Sequence, residues 1–105
     1  MPTPLLHIVA LRFRADLSEE DIRKHFENDV ALTRRMPELV ESWRFEKNVS
    51  LLTRPDVNGG CQWVVVSKLF DGAQLPAYLA HPEHVEVGRI QAPLVEGRFV
   101  VDIAA

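Results

Sequence analysis

Gln62-Trp63-Val64-Val65-Val66-Ser67-Lys68-Leu69-Phe70 is the stretch on which the fold turns. Its three consecutive valines and flanking aromatics favour extended backbone, because β-branched and aromatic side chains suit a pleated surface. Successive strand residues point to opposite faces, so Val65 stands on one side while Val64 and Val66 stand on the other, and both sides are apolar. Such a strand belongs inside a sheet covered on both faces.

Outward from this strand, the other elements follow. Upstream, Thr53-Arg54-Pro55-Asp56-Val57-Asn58-Gly59-Gly60 gathers turn formers and predicts a surface loop. Before it, Val40 to Asn48 alternates Trp43 and Phe45 with Ser42, Arg44, Glu46 and Lys47, a strand with one wet face. Leu6 to Arg14 is a further strand, with His7, Val9, Leu11 and Phe13 on one face and Ile8, Ala10, Arg12 and Arg14 on the other. Between these two, Ser18 stands as an N-cap ahead of Glu19, Glu20 and Asp21, and Ile22, Phe26 and Val30 form an apolar stripe that ends before Pro37. Downstream, Asp71 caps a second helix that carries Leu75, Tyr78 and Leu79 and begins as a loose turn near Gly72 or Ala73, because Pro76 fits only in a first turn. A short helix follows His81-Pro82-Glu83-His84 with Val85, Val87 and Ile90, ending before Pro93. Arg98 to Ile103 closes as a strand, Phe99, Val101 and Ile103 on the inner face against Val100 and Asp102. The order β-α-β-β-α-β predicts an α+β, ferredoxin-like domain: a four-stranded antiparallel sheet with two helices on one face, spanning residues 1–105.

The uncovered face should then be polar, and it is not. Ile8, Ala10, Val64, Val66 and Val100 stand opposite the inner residues. Each buried Val or Ile contributes roughly 1.5–3 kcal/mol relative to exposure, so a second copy of the sheet is the expected cover.

Composition excludes several classes. A formal charge of −3, with 47% hydrophobic and 26% charged residues, gives neither a basic surface for nucleic acid nor a strong field of either sign. Cys61 is the single cysteine, so there is no intrachain disulfide and no thiolate metal cage, and a reducing compartment is expected. No stretch approaches the roughly 20 apolar residues that span a bilayer, and the start lacks a leader-like pattern, so the expectation is a cytoplasmic protein without a membrane partner. The histidines lack a chelating spacing, so no metal is expected.

Three segments together resemble the stress-responsive A/B barrel (Dabb) family of the dimeric α+β barrel superfamily: His7-Ile8-Val9-Ala10-Leu11-Arg12-Phe13, Leu17-Ser18-Glu19-Glu20-Asp21-Ile22, and Tyr78-Leu79-Ala80-His81-Pro82-Glu83-His84-Val85. The last is the specific one. The resemblance implies a homodimeric α/β barrel with a cavity between sheet and helices in each subunit. It also implies a likeness to the family's plant polyketide cyclase, a cofactor-independent enzyme in which the base corresponds to His84 and its partner to Tyr78. The lining would be His7, Val9, Leu11, Phe26, Val30, Val65 and Val87. Trp63 replaces a histidine of that enzyme, and His25, Phe26 and Asp29 stand where it has an aromatic pair and a tyrosine, so one wall is more polar and that enzyme's long ketide substrate does not carry over; a small, partly apolar carbonyl compound is the ligand expected instead.

Each site residue also has a plainer reading. His84 serves as base or bonds a backbone group to hold the corner. His7 meets a ligand or a neighbouring strand end. His25 and Asp29, at i and i+4, suit an exposed helix face. Trp43 and Trp63 suit the core or an interface. Two other functions stay open: a non-catalytic, stress-associated binding dimer, and a cofactor-free monooxygenase in which Trp63 contributes to an aromatic pocket.

Overall fold

The computed structural model describes residues 2–50 and 54–105, and of residues 55 and 56 the backbone only. Strands β1 (Leu5–Phe13), β2 (Val40–Lys47), β3 (Trp63–Leu69) and β4 (Val95–Ala104) form one antiparallel sheet in the order β2-β3-β1-β4. Helix α1 (Glu19–Thr33) starts in a capping box: Ser18 Oγ accepts from the Asp21 N–H, and the Asp21 carboxylate accepts from the Ser18 N–H. A single helical turn, α2 (Pro55–Asn58), lies inside the predicted loop, whose Thr53 falls outside the described residues. Gly59 and Gly60 close it at φ of 64° and 72°, the left-handed region that a β-carbon disfavours.

The second helical segment breaks in two. A 3₁₀ turn at Gly72–Gln74, capped by Asp71, leads into α3 (Leu75–Ala80), with Pro76 in its first turn. The chain then extends at His81, whose Nδ1 accepts from the Glu83 N–H at 3.1 Å and so caps α4 (Pro82–Gln91). The architecture is β-α-β-β-α-α-β, ferredoxin-like, with the helices on one face of the sheet. Among the described residues no helix is long and apolar enough to cross a membrane.

Strand register decides which residues meet. His7 lies opposite Ser67 on β3 and Asp102 on β4, and Val9 lies opposite Val65 and Val100. Directly opposed residues share a face, so Val100 and Asp102 point toward the helices and Phe99, Val101 and Ile103 away from them. This reverses the assignment expected for β4: a run of Phe-Val-Val has no alternation of its own, and pairing with β1 sets its face.

The helix side holds two apolar clusters. In one, Leu11, Phe13, Phe26 and Val65 pack with Trp43, Phe45 and Trp63, and the rings of Phe26 and Phe45 stack at 4.3 Å. In the other, Met36, Leu69 and Tyr78 pack with Leu5, Leu39, Val40 and Leu75. His7 and Ser67 fall between them along the strands. The buried face of α1 is His25, Phe26, Asp29, Leu32 and Thr33, with Ile22 and Val30 only half-buried. His25 and Asp29 are 4% and 5% exposed, so the pair expected at the surface is interior. The opposite face is open, and Phe99, Val101 and Ile103 are 62%, 57% and 50% exposed there.

Candidate active site

A cavity of about 280 Å³ opens between the two clusters, walled by the sheet, α1, α3 and α4. It exists because the strand positions between the clusters carry polar side chains, which cannot interlock with the helices as Leu11 and Phe13 do.

His7 is 5% exposed, and its Nδ1 donates to Asp102 Oδ1 at 2.6 Å. The carboxylate only accepts, so the proton sits on Nδ1. The pairing follows from the β1–β4 register.

His84, in the first turn of α4, donates from Nδ1 to the Leu79 carbonyl at 3.2 Å. A carbonyl has no proton to give, so in the neutral ring the proton is on Nδ1 and the lone pair on Nε2. Burial, and after it the proximity of His7, hold its pKa below the usual imidazole value. Tyr78 lies with its ring centre 4.6 Å from that of His84 and 5.6 Å from that of His7, its hydroxyl 3.5 Å from Ser67 Oγ. Burial pushes its phenol above the usual value, so the O–H stays protonated.

On α1, Asp29 accepts from Thr33 Oγ1 at 3.4 Å, and burial pushes its carboxyl up to about 7. Gln91 is oriented from both ends: Arg98 Nη1 donates to its Oε1 at 3.1 Å, and its Nε2 donates to His25 Nε2 at 3.1 Å. His25 is thus an acceptor at Nε2, with its pKa lowered by burial, and its Nδ1 has no partner among the described residues.

Of the residues expected at the site, His7, Val9, Val65, Tyr78, His84 and Val87 line the cavity together. Leu11, Phe26 and Trp63 belong instead to the aromatic cluster. Val30 borders a separate surface cleft of about 520 Å³ with Arg34 and Ser42, and His25 stands behind Gln91. Asp102, Ser67, Thr33, Gln91 and Arg98 line the cavity without having been foreseen. Asp102 alone left a trace in the sequence: aspartate is depleted in strands, and here it interrupts Phe99-Val100-Val101 before Ile103.

The family model of the stress-responsive A/B barrel domain (Dabb) matches residues 5–105. The chain belongs to the Dabb family. None of the curated proteins matches this Dabb chain. Among solved structures it is similar to a hydroxynitrile lyase from Passiflora edulis at 19% identity and a TM-score of 0.84, covering 100% of this chain and 95% of that one. A dimeric ferredoxin-like protein of unknown function from Thermobifida fusca is 23% identical with a TM-score of 0.80, covering 100% and 93%. SnoaB, a cofactor-independent oxygenase from Streptomyces nogalater, is 12% identical with a TM-score of 0.74, covering 98% and 93%. At these identities the likeness is one of fold.

Proposed function

We propose that this Dabb protein is a homodimeric, cofactor-independent enzyme of polyketide-cyclase-like chemistry, acting on a small, partly apolar carbonyl compound. One observation carries the reading: His84 spends Nδ1 on the Leu79 carbonyl and keeps the Nε2 lone pair, beside a protonated Tyr78, in the wall of a cavity. One ring can serve both readings of His84, since Nδ1 holds the corner and Nε2 has no partner among the described residues. Burial keeps the imidazole neutral near pH 7, as a general base must be.

Nε2 takes the proton from a carbon next to the substrate carbonyl, and the C–H electron pair becomes an enolate. The Tyr78 O–H donates to the oxygen where the charge collects. The enolate carbon attacks a second carbonyl, forming a C–C bond, and the imidazolium returns its proton to the new alkoxide. A cavity of about 280 Å³ suits a compound smaller than most drug-sized ligands, whose pockets run from about 300 to 1,000 Å³. A lyase and a cofactor-independent oxygenase on the same fold support a catalytic use of it. The dimer rests on the open apolar face and on the dimeric neighbour. Ile8→Lys, which places a charge at the centre of that face, is expected to give monomers in sedimentation equilibrium.

The chemical test is exchange of α-protons of a 1,3-diketone in D₂O, followed by NMR. Wild type is expected to accelerate it, and His84→Ala to lose about 10²–10⁴-fold with folding intact. Equal exchange by the variant would overturn the assignment of the base. Oxygen uptake with a quinol would select the oxygenase reading, and ligand binding without exchange or oxygen uptake the binding dimer.

A further inference from the structure

Asp29 is not needed for the step assigned to His84 and Tyr78, yet it is an acidic group held 5% exposed in the wall of the same cavity. Its only hydrogen bond among the described residues comes from Thr33 Oγ1, at 3.4 Å, the long end of the range. It makes no ion pair there either. A carboxylate so placed, with no ion-pair partner among the described residues and one weak donor, is disfavoured against the neutral acid, which can itself donate.

The groups around it sharpen this. From the strands, His7 is already engaged with Asp102, and Arg98 with Gln91. From α3 and α4 come Tyr78, a phenol kept protonated, and His84, an imidazole kept neutral. His25, one turn earlier on α1, bonds Gln91. Thr33 is the one hydrogen-bond partner of Asp29 among the described residues, and a hydroxyl does not neutralise a carboxylate.

We infer that Asp29 is a binding residue which, as a neutral carboxylic acid, donates a hydrogen bond to a second oxygen of the ligand, distinct from the oxygen met by Tyr78. The inference rests on the reading of the cavity as a carbonyl site and deepens it by naming the substrate class: compounds with two oxygen acceptors on one short chain, 1,3-dicarbonyls and their β-hydroxy relatives, rather than simple ketones. One oxygen is activated and the other anchored. Above neutral pH the acid ionises, loses its donor and repels a ligand oxygen, so the preference weakens with rising pH.

A matched pair of probes tests this on the wild-type dimer: benzoylacetone, with two carbonyl oxygens, and butyrophenone, of nearly the same shape with one. Affinities are read from ¹H–¹⁵N shifts at pH 6 and pH 8, and the ¹³C carboxyl shift of Asp29 is followed across the same range. Expected are tighter binding of the dicarbonyl at pH 6, a loss of about tenfold by pH 8, and little change for the monocarbonyl, since a group titrating near 7 goes from about nine-tenths to one-tenth protonated over that interval. Asp29→Asn keeps a donor and cannot ionise, so it should bind the dicarbonyl equally at both pH values. A carboxyl that titrates near pH 4, or probes that bind equally well and without pH dependence, overturns the role of Asp29 and leaves the carbonyl site standing. Failure of both probes to bind at either pH overturns the carbonyl site itself, and the anchor with it.

Discussion

Along β1, Leu11 and Phe13 face a solid stack of aromatic rings, whereas His7, four residues before Leu11, faces a carboxylate, a phenol and an imidazole around open space. β1 and β3 contribute to both ends. At the aromatic end the side chains have no direction to satisfy and can interlock, so apolar area is removed from water with little void. At the polar end each group must meet a partner at hydrogen-bond distance, and those partners hold the walls apart. Interlocked apolar packing and paired polar groups are thus segregated along one sheet.

The largest expected effect tests the aromatic end. Phe26 is fully buried and meets five rings, those of Phe13, His25, Trp43, Phe45 and Trp63, so Phe26→Ala should cost about 3–5 kcal/mol in chemical denaturation. The His84 titration, read by NMR under native conditions, should be unchanged. A cost below about 1 kcal/mol would mean that the two ends do not differ in this way.

Next comes Asp29. Its carboxyl is raised from 3.8 to about 7 in the folded state, so between these values the native protein holds a proton that the unfolded chain has released. The contribution to stability is complete below about pH 4 and is lost as pH rises through 7, a change on the order of 3–4 kcal/mol for a group this buried. Asp29→Asn lacks it, so the stability of the variant relative to wild type should rise from pH 4 to 7 and level off above. A flat difference would show that the polar end tolerates a charge.

His25 and His84 act in the opposite sense. Burial lowers both pKa values, so the unfolded chain takes up protons first and stability falls as pH drops below 6.5. His25→Gln should reduce that acid-side loss in thermal melts between pH 7 and 5. The smallest effect on stability is expected at Tyr78→Phe. The Ser67–Tyr78 contact is 3.5 Å long, so its loss should cost under about 1 kcal/mol. The same variant should slow α-proton exchange at least tenfold and shift the His84 titration, which separates a chemical role from a packing one.

The capping box at Ser18, the broken start of α3 at Pro76 and the apolar run of β3 were legible because each depends on neighbours in the chain. Tyr78 and His84 were legible through the motif they share. The face of β4 was not, because Phe99, Val100 and Val101 are apolar on either side and register alone chooses between them. Nor was the turn of α1. Ile22, Phe26 and Val30 make a plausible inward stripe, but the helix rotates to bury His25 and Asp29, and this can hold only where Gln91 and Thr33 are there to meet them.

The order of strands and helices, the ferredoxin-like class and a second apolar sheet face are written along the chain, since propensity, capping and period are local properties. Tertiary packing alone brings His7 to Asp102 from 95 residues away, ties one nitrogen of His84 while the other has no partner among the described residues, and sets Asp29 in a cavity where Arg98 bonds Gln91 instead. Those outcomes depend on which strand position lands beside which. A hydrogen bond requires a fit of a few tenths of an ångström that no pattern along a single chain encodes.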